Sequence, residues 1–227
     1  PNLSPQFAHN IELSHTFKGF LTTTLNYNKT TDIIEDVLEQ HADVNETFVK
    51  KSNIASRDQF GISVNAGGQL KKWWTANLWT NLYNNHYKGI VNGDYISIGA
   101  TTFQANLTNQ FKFNKGWGAE LSGFYTSPLT EGVFQIRSFG QVGVGISKQV
   151  FKGKGTFRLS GRDIFLTQKI NGTSRFGSID AAFQQRRDSR QVALGFTYRF
   201  SKGKMGNNQK RKTGGADDEK NRVKTGE

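Results

Sequence analysis

The chain contains no cysteine, which excludes disulfides and thiolate chemistry. Proline is scarce, with three residues in 227, while glycine, asparagine and threonine abound. That balance suits sheet more than helix. No run of eighteen apolar residues occurs, so there is no transmembrane helix. The mean hydropathy of −0.60 is polar, yet it leaves a membrane β-barrel open. A barrel shows lipid only every second residue, and its average stays polar. The four histidines do not converge: His9 and His15 lie six residues apart, about 20 Å along a strand, and His41 and His86 fall in separate loops. No metal or other cofactor is expected. Gly143-x-Gly145 has no following helix and reads as close packing, and Gly153-Lys154 lacks the rest of a phosphate-binding loop. No Ser/His/Asp arrangement is visible, so no catalytic residue is assigned and the chain is not read as an enzyme.

What is present is a repeated turn. Aromatic residues make up 12%, including 18 phenylalanines. Five short Lys-bearing segments sit between or beside bulky rings: Phe17-Lys18-Gly19-Phe20, Lys71-Lys72-Trp73-Trp74, Phe113-Asn114-Lys115-Gly116-Trp117, Phe151–Phe157 and Phe200–Lys204. Aromatic rings favour a water–lipid boundary, and lysine extends its ammonium from there into water. Phe17, Phe20, Trp73, Trp74, Phe113, Trp117, Phe151, Phe157, Phe196, Tyr198 and Phe200 are the candidate boundary and closing-strand residues.

Between the turns, period-two alternation marks about nine strands. They lie near residues 7–17, 21–38, 60–67, 74–83, 103–113, 117–125, 134–146, 157–165 and 192–200. Helix competes only at residues 31–40, where Ile33, Ile34, Val37 and Leu38 have helical spacing; strand or loop is favoured. Turns near residues 19, 72, 115 and 153 are tight, and connections at 39–52, 88–95, 127–132 and 169–190 are expected to be longer and polar. Outer-membrane barrels have short periplasmic turns and long outer loops, which places the Lys-bearing turns in the periplasm. The fold class is therefore all-β: a transmembrane antiparallel up-and-down barrel sector. Nine strands form an open sheet, and each unpaired backbone group in lipid costs several kcal/mol. Further strands are expected to precede Pro1, making residues 1–200 the C-terminal part of a larger barrel.

Residues 201–227 lose the alternation and read as a disordered basic tail, expected in the periplasm. The formal charge of +12 is spread over turns and tail with no stripe, so no nucleic-acid partner is expected.

Pro1-Asn2-Leu3-Ser4-Pro5-Gln6, followed by Asn10-Ile11-Glu12-Leu13, resembles the N-P-x-L-x-P-E region of TonB-dependent receptor barrels. Arg162-Asp163-Ile164-Phe165 is similar to their penultimate-strand N-[IL]-F segment. Gly195-Phe196-Thr197-Tyr198-Arg199-Phe200 resembles their closing strand. Gln6 stands where the family has Glu, and Phe200 is followed by a tail. The resemblance implies a bacterial outer-membrane protein with 22 strands and a periplasmic plug. It would import a scarce ligand (siderophore, vitamin, glycan or peptide), energised by TonB through the parent protein. Its partners would be outer-membrane lipid and the parent's remaining strands and plug. Two rival readings are a non-transporting barrel serving as anchor or adhesion platform, and a soluble glycan-binding β-sandwich. Trp79 and Tyr83, aromatics on the polar face of strand four, are the vestibule candidates. Arg186, Arg187 and Arg190 form a basic loop cluster, read as pairing with anionic lipopolysaccharide or neighbouring acidic strands in preference to a ligand-steering patch. Glu35-Asp36 reads as a solvated loop face.

Overall fold

A computed structural model describes residues 3–41, 46–91, 93–177 and 179–200. Thirteen strands occur among them: β1 (Phe7–Phe17), β2 (Leu21–His41), β3 (Glu46–Lys71), β4 (Trp74–Val91), β5 (Asp94–Lys112), β6 (Trp117–Thr126), β7 (Leu129–Glu131), β8 (Phe134–Ile136), β9 (Phe139–Val150), β10 (Gly155–Arg162), β11 (Lys169–Phe176), β12 (Ile179–Arg186) and β13 (Gln191–Tyr198). Nine form one antiparallel sheet in the order β1-β2-β3-β4-β5-β6-β9-β10-β13, and the other four form a second sheet, β12-β11-β8-β7. The sheet is open, with β1 and β13 at its two edges.

The alternation gives the large sheet two unlike faces. Leu13, Leu25, Ile62, Leu82 and Phe103 pair in one row across five strands. All five remain exposed, from 37% for Ile62 to 68% for Leu13. On the opposite face, Ser14, Thr24, Ser63, Asn81, Gln104 and Thr126 form a parallel polar row. An exposed apolar face this broad is stable only against an apolar solvent. The buried Asn109 amide on that face is accounted for, because Trp74 Nε1 donates to its Oδ1 at 3.0 Å.

The Lys-Gly turns have a backbone cause. Lys18 and Gly19 have φ of 47° and 72°, Lys115 and Gly116 of 59° and 76°, and Lys152 and Gly153 of 54° and 86°. Two successive positive φ values define the turn whose twist matches a right-handed hairpin. Glycine adopts the second position freely, and the lysine stays solvated.

Several expected boundaries are corrected. Residues 39–52 are mostly strand, since β2 and β3 extend into them; residues 42–45 lie outside the described residues. The connection at 88–95 is tight, with pairing maintained down to Val91–Asp94. The strand expected over 134–146 is split into β8 and β9, and the breaks at 127–132 and 169–190 contain β7, β11 and β12. The strand read over 157–165 ends at Arg162, and the last strand ends at Tyr198 rather than Phe200. The turn at Phe200–Lys204 and the tail 201–227 fall on residues that, beyond Phe200, are outside the described ones.

These extra strands cover the end of the sheet away from the Lys-bearing turns, here termed the far end. A bulge prepares that end. Register shifts between Thr30 and Ile34, and Asp32 sits at φ 53°. Below it, odd-numbered residues of β2 lie on the exposed apolar face; above it, Ile33 and Val37 are buried at 4% and 0%. One irregularity reverses the side that each parity addresses. The amino-terminal segment holds the bulge: Gln6 Oε1 accepts from the Ile34 N–H at 3.1 Å. Asn53 Nδ2 donates to the carbonyls of Asp32 at 2.7 Å and Ser4 at 2.9 Å. Ile33, Val37, Ile54, Tyr87, Val91, Ile96 and Val133 then form a buried cluster, joined by Phe134 of β8 and Phe176 of β11. The small sheet thus packs on the side of the large sheet that carries its polar rows.

Candidate functional site

Where the small sheet meets the large one, two hollows share a wall. The first is a polar cavity of about 310 Å³ whose lining includes Glu35, Arg57, Tyr83, Asn85, Tyr87, Gln104 and Glu131. The second is an apolar cleft of about 540 Å³ between β2, β3, β8 and β12, lined by Leu38, Val49, Phe134, Ile136 and Phe183. Glu35, Glu131 and, in the cleft, Asp36 border them.

The bulge brings Glu35 here by turning it inward, while Asp36, which lines only the cleft, is exposed and pairs with Lys51 at 2.9 Å. Burial pushes the Glu35 carboxyl above its ordinary value, the neighbouring Glu131 carboxylate adds to this, and Arg57 opposes it. Burial also raises the Tyr87 phenol, whose hydroxyl is engaged by Arg57 and by the backbone of Gly132. Gly132, at φ 57°, lies in the β7–β8 turn against Glu35 and Ile54. Asn85 is 8% exposed, and its Oδ1 has no donor; the Arg57 Nε likewise has no acceptor. Unsatisfied buried polar atoms are uncommon in folded proteins.

Of the vestibule candidates, Tyr83 lines the cavity. Trp79 lies four residues nearer the turn end on the same face, about 13 Å along the strand, and is not part of it. Arg186, Arg187 and Arg190 are exposed around the end of β12 and the following connection, and they line neither hollow. Sequence reading missed Glu35, Arg57, Asn85 and Glu131. Glu35 was assigned to a solvated loop, whereas it is half-buried within β2. Nothing in the local pattern marks the four, because the bulge and a distant hairpin bring them together.

That connection is fixed by a buried carboxylate. Asp163 is fully buried and adopts φ 48°. It accepts from the Thr167 N–H at 2.9 Å, the Gln168 N–H at 3.3 Å and the Ser189 hydroxyl. Burial pushes its pKa up, but these hydrogen bonds outweigh burial and hold it below the ordinary value. Ser189 thereby ties the arginine-bearing connection to the end of β10.

The aromatic residues cluster at the turn end. Phe17 and Phe20 meet edge to face at 6.0 Å. Trp73, Trp74, Phe111 and Phe113 form a stack with centroids 6.1–6.4 Å apart. Phe151, Phe157, Phe196, Tyr198 and Phe200 form a third group, with Phe157 and Phe196 at 4.6 Å. Lysine ammoniums lie over three rings: Lys18 over Phe17, Lys71 over Trp73, and Lys148 over Trp117 at 4.7 Å. Lys148 also reaches the Lys115 carbonyl at 2.8 Å.

Comparison with known proteins agrees with this architecture. No curated protein and no solved structure matches the chain. The model of one family, described as the outer membrane protein beta-barrel family, matches residues 1–198. With every described strand inside the matched range, this chain belongs to the outer membrane protein beta-barrel family.

Proposed function

We propose that the chain supplies the C-terminal barrel sector of a TonB-dependent outer-membrane receptor that imports a scarce ligand. The observation carrying this reading is the large sheet itself: apolar and exposed on one side, polar on the other, and open at β1 and β13. Leaving such edges bare in lipid costs several kcal/mol per backbone group. The parent's remaining strands complete the wall, and its plug occupies the polar side. The Lys-bearing turns face the periplasm, with the aromatic groups at the inner lipid boundary, and the tail is periplasmic. The far end, carrying the small sheet and both hollows, then faces outward, with Arg186, Arg187 and Arg190 against lipopolysaccharide. TonB acts through the parent protein.

The test is growth of gene-deleted cells on iron chelates, vitamins, glycans and peptides supplied at limiting concentration. A deficit on one source, not deepened when TonB is also removed, supports the reading. No deficit on any source, with the protein still in the outer membrane, overturns it in favour of an anchoring barrel. Recovery of the full protein in the soluble fraction without detergent would overturn the architecture too.

A further inference from the structure

We propose that the two hollows at the far end form one binding site for an ammonium group carried on an apolar frame. This deepens the importing-receptor reading and rests on it for the arrival of ligand at this face.

The apolar cleft is bordered by Glu35, Asp36 and Glu131, and no basic side chain lines it. Asp36 has a partner in Lys51. Glu35 and Glu131 have no ion pair among the described residues, and they form the wall shared with the polar cavity. Inside that cavity the excess charge is negative, although one donor, the Arg57 Nε, also lacks a partner. Two carboxylates face a single arginine, and the buried Asn85 Oδ1 has no donor. A group that donates several hydrogen bonds and carries positive charge satisfies these acceptors together. An ammonium does so with three N–H bonds and no acceptor of its own. The apolar frame then lies along Leu38, Phe134 and Phe183, outside the cavity but continuous with its wall. A divalent cation fits less well, since no group of three His, Cys, Asp or Glu side chains is placed to ligate one among the described residues. A carboxylate-bearing ligand meets Glu35 and Glu131 and is repelled.

The experiment measures binding to the full-length protein in lipid nanodiscs at neutral pH. The free-amine probe is 2-phenylethylammonium, its neutral control is 2-phenylethanol, and the peptide probe is a Phe-Lys dipeptide blocked as its C-terminal amide, so that it carries no carboxylate. The expected result is that at least one cationic probe binds about tenfold or more tightly than the alcohol, a difference of one charge-assisted contact. Which of them binds separates a free amine from a peptide source. Glu35→Gln removes the charge at nearly constant shape and is expected to weaken the cation about tenfold while sparing the alcohol. Ala182→Trp fills the cleft without touching a carboxylate and is expected to weaken amine and alcohol alike. Equal affinity for amine and alcohol, no binding of any probe, or an undiminished affinity in Glu35→Gln overturns the inference. Because binding is read on purified protein, a failure of uptake with intact cation binding counts against the transport reading alone. Uptake of a ligand that leaves these probes unbound counts against this site alone.

Discussion

Two carboxylates at the far end respond to pH in opposite directions. Asp163 is held below the ordinary carboxylate value of 3.8 by the hydrogen bonds around it. Its contribution to stability is therefore present above that value and is lost as pH falls through the folded-state pKa. Asp163→Ala strands two backbone donors and places a Cβ-bearing residue without a local polar partner at positive φ. A loss of about 1–3 kcal/mol is expected, read as a lower midpoint in urea for the refolded protein at neutral pH. Glu35 behaves inversely: burial raises it above 4.5. The stability associated with its protonated form is complete below that value and is lost as pH rises through the folded-state pKa. Glu35→Gln is accordingly expected to raise the thermal midpoint at neutral pH and to leave it unchanged below about pH 4.5, as thermal scans at both pH values can check. A scan showing destabilisation at neutral pH would mean that Arg57 outweighs burial.

At the scale of elements, the bulge in β2 decides how the far end is built. Asp32 tolerates positive φ, as aspartate does more readily than most residues; Asp32→Val replaces it with a β-branched side chain that does not. The expected outcome is loosening of the small sheet, seen as new protease cuts near residues 127–136 and 169–186 in intact cells. Asn53→Ala removes the bonds to Ser4 and to Asp32, and faster hydrogen exchange at the Ile34 amide is the expected reading. The bulge also explains what sequence could not reveal. Apolar residues stand at Leu21, Leu25 and Tyr27, and again at Ile33 and Val37, so odd positions stay apolar while the side they address reverses. Ile34 and Leu38, adjacent to them, supplied the helical spacing. The nine main strands were legible because one solvent acts on each face along many residues. β11 and β12 were not, because Ile170, Gly172, Ser174 and Phe176 cover only part of a small interface and carry no sustained alternation.

For the whole molecule, the decisive comparison is between a lipid-facing wall and a closed globule. Mid-strand residues settle its direction: Leu159 and Leu194 pair across β10 and β13 and are 47% and 77% exposed, while the buried apolar cluster belongs to the far end. Leu194→Arg places a charge on the apolar face. A cost of about 2–4 kcal/mol at mid-membrane depth is expected, measured as loss of the heat-modifiable folded band in cold electrophoresis. Unchanged assembly would reverse the assignment of faces. The Lys-bearing tight turns and the apolar and polar rows were readable from residue types alone, whereas the tight turn between Val91 and Asp94 was not. The site was not, because Glu35, Arg57, Asn85 and Glu131 are spread over nearly a hundred residues and only the covering hairpin of β7 and β8 closes around them.

The reversal at Asp32 has a consequence for how this protein can vary. Along the first part of β2 a leucine is judged by oil, which accepts almost any greasy shape; a few residues later it is judged by a fitted neighbour, which accepts very few. Drift should therefore be permissive on one stretch of a single ribbon and strict on the next, with the frontier at one aspartate and no change in spelling to announce it.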